Sequence, residues 1–350
     1  MATITYHNVG VKAMSACVPS YIAYNKDLVD LMGQEEVDKM IDSVGIHERR
    51  ISSPDICASD LCFKAAVRLM EDNQIDPASI DMLLFMSQTP DYQIPASSCI
   101  LQHRLGLPKS CACMDITLAC SGYVYALSTA FSFASMEGIN RVLLLDGETI
   151  SKVVNPRDKV NLPLYGDAGT ATLIEKGDYK DSVFILNTDG SGEEAVKIPV
   201  GGYRHPFTVE SMKEMERENA NYRSDVQIYM DGMDVFNFAI GVVPKSIKEI
   251  VKQTNSSLED IDYLVFHQSN KFMTDFFVRR LKFSPEKVPY CISKYGNTSS
   301  ASIPLTMVSE LSGLLDAEKT VVMCGFGAGL SWGTARIIYH NCQISTVIEY

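Results

Sequence analysis

Three residues in this 350-residue chain stand where thioester chemistry could be done: Cys120, His267 and Asn297. Cys120 falls in Asp115-Ile116-Thr117-Leu118-Ala119-Cys120-Ser121-Gly122-Tyr123, where an apolar strand pattern breaks into small residues and a long apolar helix pattern begins. A cysteine at a helix N-terminus meets unpaired backbone N–H groups and the positive end of the helix dipole. That setting predicts a lowered thiol pKa and a nucleophilic thiolate. Phe266-His267-Gln268-Ser269-Asn270 and Tyr295-Gly296-Asn297-Thr298-Ser299-Ser300 supply the other two residues. A thiolate attacks an acyl thioester and holds the acyl group covalently. Neutral imidazole and carboxamide groups hydrogen-bond a carbonyl oxygen as it gains negative charge. The set therefore points to acyl transfer through a thioester.

Each residue type also has an ordinary structural use. Of the ten cysteines, the other nine (Cys17, Cys57, Cys62, Cys99, Cys111, Cys113, Cys291, Cys324, Cys342) lack the strand-to-helix setting and read as packing. A single histidine is more often structural than catalytic, and Gly-Asn is a common turn pair. The combination with Cys120 singles out His267 and Asn297, each at the end of a predicted strand or in a small-residue turn. Cys111-x-Cys113 and Cys57-x4-Cys62 lack Cys/His partners at zinc-finger spacing, so no structural zinc site is expected.

Hydrophobic residues make up 46% of the chain and charged residues 21%, the composition of a soluble globular protein. The length suggests about two domains. A net charge of −12 argues against nonspecific binding to nucleic acid or anionic membrane. Met1–Tyr6 shows no basic stretch followed by an apolar run, so no secretory leader is expected. The longest apolar stretch, Leu118 to Met136, reads as a buried helix, and no membrane span is expected. Cysteines in this number without a leader predict free thiols in a reducing compartment, the cytoplasm.

The elements that must position the three residues alternate along the chain. Strand patterns fall at 81–87, 112–118, 141–146, 169–175, 182–188, 262–266, 319–324 and 332–339. Helix patterns fall at 57–73, 96–105, 122–137, 233–254, 270–281 and 302–315. Such alternation predicts α/β layers. Each half closes on a Gly-rich hairpin, at Gly166–Ala171 and Gly325–Gly333, which suggests a duplicated unit with the site between its halves. Neither glycine run carries a Walker lysine or opens a βαβ unit as a dinucleotide loop does. The polar stretch 201–227 reads as an insertion, a surface helix or flap.

At these residues the chain resembles the ketoacyl-acyl-carrier-protein synthase III family of the thiolase superfamily. The resemblance runs through Val11–Met14, Gly45-Ile46-His47-Glu48-Arg49-Arg50, the Cys120 segment, Gly166-Asp167, Tyr229–Gly232, His267–Asn270, Gly296–Ser299 and Gly325–Gly329. It implies two similar βαβαβαββ halves, 1–178 with the cysteine and 179–350 with the histidine and asparagine, in a five-layered αβαβα arrangement and a homodimer. It also implies a decarboxylative Claisen condensation. Cys120 would take an acyl primer, a malonyl-acyl carrier protein would lose carbon dioxide, and the enolate would attack the acyl-cysteine to give a 3-oxoacyl product. His267 and Asn297 would stabilise the enolate oxygen. The backbone N–H groups of Cys120 and Ala328 would form the oxyanion hole. Phe326 and Gly327 would line the substrate pocket, with Ile94 reaching it from the neighbouring subunit. No metal, nicotinamide or flavin is implied.

At the substrate entrance the chain departs from the family. Lys39 stands where a tryptophan often stacks on the adenine of CoA, and Ser43 replaces an arginine. Lys159 is a candidate phosphate contact. Asn270-Lys271-Phe272 lacks an arginine associated with carrier-protein docking, and Asn237 replaces a lysine. Arg279-Arg280, with Lys282, stands where relatives carry a basic pair facing the carrier. These changes point to a primer other than acetyl-CoA, an acyl-carrier protein or an unusual acyl-CoA. Three other readings stay open: acyl transfer to a hydroxyl or amine without decarboxylation, a hydroxymethylglutaryl-CoA synthase-like condensation with Asp115 or Glu148 as an added acidic general base, and a catalytically idle carrier-binding partner.

Overall fold

The strand patterns pair into two sheets separated by a helical layer. The computed structural model describes residues 3–217 and 220–350. The first sheet runs Gln343–Ile344, Val9–Val18, Ala168–Lys176, Arg141–Glu148, Met82–Met86, Ala112–Ile116, with Ile348–Glu349 also paired to Val9–Val18. Met82–Met86 is parallel to both its neighbours. The second sheet runs Thr3–Tyr6, Ser182–Thr188, Ser331–Tyr339, Lys319–Gly327, Tyr263–Phe266, with only the last pair parallel. The first strand of the chain thus completes the second sheet, and the last two strands complete the first.

Both sheets are buried on both faces, so their strands alternate between two apolar cores rather than between core and solvent. Leu84 and Met86 face inward with Tyr123, Leu127, Phe131, Leu305 and Met307 of helices Gly122–Ser135 and Ser302–Glu310. Leu83 and Phe85 face outward against Leu61, Leu69 and Leu101 of Ala58–Asp72 and Ser97–Arg104. On the second sheet Leu264 and Val322 face Val243, Ile247 and Phe277 of Gly232–Gln253 and Lys271–Leu281. The layers read α, β, α, β, α. This is the thiolase-like arrangement expected from the sequence.

Three departures have local causes. Strand Val9–Val18 is missing from the sequence reading, because burial on both faces leaves no alternation to detect and Gly10 and Ser15 interrupt the apolar run. Helix Gln34–Val44 is too polar to stand out. The insertion contains no α-helix among its described residues. It forms a hairpin of Met215–Arg217 on Asn221–Arg223, so the helix expectation is corrected.

Candidate active site

Strand Ala112–Ile116 ends four residues before Cys120, and helix Gly122–Ser135 starts two residues after it, with Ser121 as N-cap. The end of strand Lys319–Gly327 packs against the cysteine. A Cβ on Gly327 would stand 2.8 Å from Cys120 Cβ and 3.2 Å from Sγ, and one on Gly325 would stand 3.0 Å from the Cys120 carbonyl oxygen. Glycine at these two positions is what lets this strand close onto Cys120. Ser299, in the left-handed region at φ +53, sets its hydroxyl 3.6 Å from Cys120 Sγ.

Burial pushes the Cys120 thiol up to about 12, with the Ser299 hydroxyl opposing and the buried Glu148 and Asp146 adding to the rise. This reverses the lowered pKa expected from the helix N-terminus. Desolvation of a thiolate outweighs the terminal N–H groups here. At rest the Cys120 side chain is a thiol.

His267 follows strand Tyr263–Phe266, and its backbone N–H donates to the Cys324 carbonyl. The ring stacks edge-on to Phe326 at 5.3 Å between centroids. Its Nδ1 lies 2.7 Å from Ser302 Oγ, and that hydroxyl oxygen accepts from the Gln268 N–H. Burial drives the imidazole down to about 3, so the ring is neutral at physiological pH. Asn297 is held by its backbone, donating to Leu164 O and accepting from Gly166 N–H. Its Oδ1 accepts from the Ser299 N–H at 2.9 Å, which orients the side-chain NH2 as the free donor.

Cys120, His267, Asn297, Phe326, Gly327 and Ala328 line one cavity of about 310 Å³. Its remaining wall is chiefly apolar, built by Ile150, Val153, Tyr165, Val196, Ile228 and Met230. Val196 and Met230 belong to a two-residue ribbon, Val196–Lys197 on Tyr229–Met230, that brackets the insertion. The insertion is fastened down. Asn155 Nδ2 donates to Glu214 and Gln227, Asn221 Nδ2 donates to the buried Asp158, and Arg157 stacks 3.6 Å over Tyr222. The insertion is thus a fixed wall against 155–161.

The acidic residues considered for an added general base have other partners. Asp115 accepts from the Ser97 and Ser98 N–H groups at the start of their helix. Glu148 is buried and accepts from the Gln88 N–H and the Thr89 hydroxyl. Ser300 donates to Asp146 at 2.6 Å and lies 3.4 Å from Glu148. Burial raises both carboxyls to about 8.

The proposed binding residues divide. Asn270 lines the cavity and caps helix Lys271–Leu281 through the Met273 N–H. Arg279 and Arg280 are exposed in the last turn of that helix, leading away from the cavity. Lys39 is on the surface, paired with Glu35 one turn away. Lys159 anchors the insertion through its backbone N–H to Asn221 Oδ1. Neither lysine lines the cavity of this chain, nor does Ile94, which is 79% exposed. Ser299 and Ser302 escaped the sequence reading as site residues. Their signal was a run of small polar residues, 297–302, at the head of an apolar helix. Among the described residues no helix is long and apolar enough to cross a membrane, and no cluster of three or more His, Cys, Asp or Glu could hold a metal ion.

Comparison with known proteins agrees with this geometry. The family model described as 3-oxoacyl-(acyl-carrier-protein) synthase III matches residues 114–190, and its C-terminal counterpart matches 251–339. The chain is 36% identical over 348 residues to a beta-ketoacyl-(acyl-carrier-protein) synthase III of Rhodopirellula baltica, covering 93% of this chain and 97% of that one. It is 34% identical over 335 residues to one of Desulfitobacterium hafniense, covering 94% and 97%. A 3-oxoacyl-(acyl-carrier protein) synthase structure from Burkholderia xenovorans superposes with TM-score 0.93 at 35% identity, covering 100% and 99% of the two chains. This chain belongs to the 3-oxoacyl-(acyl-carrier-protein) synthase III family.

Proposed function

We propose that this member of the family is a priming condensing enzyme with Cys120 as acyl acceptor. The Cys120 sulfur adds to the carbonyl of an acyl thioester, the donor thiol leaves with the proton, and the acyl group stays on sulfur. The backbone N–H groups of Cys120 and Ala328 receive the oxyanion. A malonyl thioester on acyl carrier protein then binds in the same cavity and loses carbon dioxide. The thioester oxygen takes up the charge against His267 and the Asn297 NH2. The enolate carbon attacks the acyl-cysteine carbonyl and expels the cysteine sulfur, which takes a proton from solvent.

One observation carries this reading: Cys120, His267 and Asn297 line one largely apolar cavity, with His267 kept neutral by burial. A neutral ring can donate to a developing oxyanion from Nε2 when Ser302 donates to Nδ1. The apolar wall, including Phe326, favours loss of a carboxylate charge from the malonyl group. No metal or redox cofactor takes part in this scheme.

The finer assignments are proposals of the same kind. The acyl carrier protein docks on Arg279, Arg280 and Lys282, an exposed basic group on an acidic chain. The primer comes from a carrier protein or an unusual acyl-CoA, since Lys39 and Lys159 lie outside the cavity. Efficient turnover of acetyl-CoA would count against that. The protein works as a cytoplasmic homodimer joined along the open edge strand Ala112–Ile116, with Ile94 reaching the partner's cavity.

Release of carbon dioxide from malonyl-acyl carrier protein, with formation of a 3-oxoacyl product, tests the reaction. Acyl transfer to a hydroxyl or amine with no carbon dioxide released would overturn it.

A further inference from the structure

Two buried serines tie the residue after the nucleophile to the turn that carries Ala328. Ser121 Oγ lies 2.7 Å from Ser331 Oγ, and Ser331 Oγ donates to the Ala328 carbonyl at 3.1 Å. Each serine has one hydroxyl proton, which fixes the directions. Ser331 gives its proton to Ala328, so Ser121 gives its own to Ser331. Both side chains are shut off from solvent. Ser121 is the N-cap residue of Gly122–Ser135, yet its hydroxyl makes no cap hydrogen bond. A serine there ordinarily accepts from a first-turn N–H, a contribution of about 1 kcal/mol. The hydroxyl is committed to Ser331 instead.

The serines reach the turn between two fixed points. On one side Gly327 is pressed against Cys120. On the other, Leu330 exchanges two backbone hydrogen bonds with Asp189, at 2.8 and 3.0 Å. Between them stand Ala328 and Gly329, and Gly329 sits at φ +128, a backbone conformation that favours glycine. Among the described residues, Ser331 Oγ is the hydrogen-bond partner of the Ala328 carbonyl.

We propose that Ser331, backed by Ser121, is a positioning residue that holds Ala328 in the orientation presenting its N–H to the acyl carbonyl on Cys120. This rests on the reading of Cys120 as acyl acceptor. It separates the two halves of the reaction. Formation and attack of the acyl-cysteine need the backbone hole at Cys120 and Ala328. Loss of carbon dioxide from the malonyl thioester draws on His267 and Asn297, which the serines do not touch.

The test compares the wild type with Ser331→Ala, Ser331→Thr and Ser121→Ala. Acylation of Cys120 is timed by intact mass with the best donor from a panel of acyl-CoA and acyl-carrier-protein thioesters. Decarboxylation of malonyl-acyl carrier protein without primer is timed alongside. Removing one oxyanion donor costs about 10²–10³-fold, and loosening it should cost at least about tenfold. Ser331→Ala is expected to slow acylation by that tenfold or more while decarboxylation stays within about twofold, and Ser331→Thr is expected to restore acylation. Acylation at the wild-type rate in Ser331→Ala, or an equal fall in both half-reactions, would overturn the proposal. If Ser331→Ala does not fold, Ser121→Ala decides. Slower acylation with unchanged decarboxylation supports the tether, and unchanged acylation refutes it. Failure of every donor to acylate the wild type would remove the reading of Cys120 itself, and this proposal with it.

Discussion

Gly327 packs its backbone directly against Cys120, with room for a hydrogen but not for a methyl group. The contact joins strand Lys319–Gly327 of the second sheet to the helix that leaves the first. The two sheets therefore set the geometry of Cys120 together. Gly327→Ala places a Cβ 2.8 Å from Cys120 Cβ, so the turn or the cysteine must move. A displacement of this kind is expected to slow acylation of Cys120 by about 10²-fold. The rate of mass gain from an acyl thioester checks it, and a wild-type rate would show that the turn yields freely.

His267 bears on pH dependence. Burial holds its folded pKa at about 3, against about 6.5 for an ordinary histidine. The ring is protonated only below that folded value, so malonyl decarboxylation is expected to show no inflection near pH 6.5. His267→Ala is expected to cut decarboxylation by about 10²–10³-fold at every pH. An inflection near pH 6.5 that disappears in the variant would mean that His267 titrates during turnover.

Asp146 and Glu148 make a stability signature of opposite sign to the usual surface carboxylate. Unfolded, they release protons at 3.8 and 4.5, whereas folded they hold them to about 8. Between those limits the folded state binds more protons, so stability is full below the unfolded values and falls as pH rises through about 8. Thermal midpoints of wild type and Asp146→Asn, followed from about pH 5 to about pH 9, are expected to diverge, with the wild type losing ground. Parallel curves would show that the pair is ionised in the fold.

The insertion is expected to behave as a wall. Asn221→Ala removes bonds to Asp158 and to the Lys159 N–H, at 2.9 and 2.7 Å. Leaving buried partners unpaired costs about 1–3 kcal/mol. Hydrogen exchange is expected to quicken across 196–230 and 155–161 while helix Gly122–Ser135 stays protected. Fast exchange of 196–230 already in the wild type would make the segment a mobile lid.

Much of this was legible in the chain. Cys120, His267 and Asn297 each sit where an element ends, and strand-to-turn boundaries are written locally in small residues. The structure places all three along one cavity. The misses share a cause, since they depend on what lies across space. Val9–Val18 is invisible because two cores cover it. Ser331 and Ser121 are 210 positions apart, and nothing near either one announces the other. The lowered thiol pKa expected from the sequence fails because the helix terminus is local and visible, while the burial that outweighs it is built by residues distant in the chain.

The central claim is that Cys120 carries the acyl group. The measurement is intact mass of the wild type and Cys120→Ala after incubation with acyl-CoA and acyl-carrier-protein thioesters, followed by addition of malonyl-acyl carrier protein. The expected result is a one-acyl mass gain on the wild type alone, discharged on malonyl addition with release of carbon dioxide. An acyl group that also forms on Cys120→Ala, or one that malonyl-acyl carrier protein does not discharge, would contradict it.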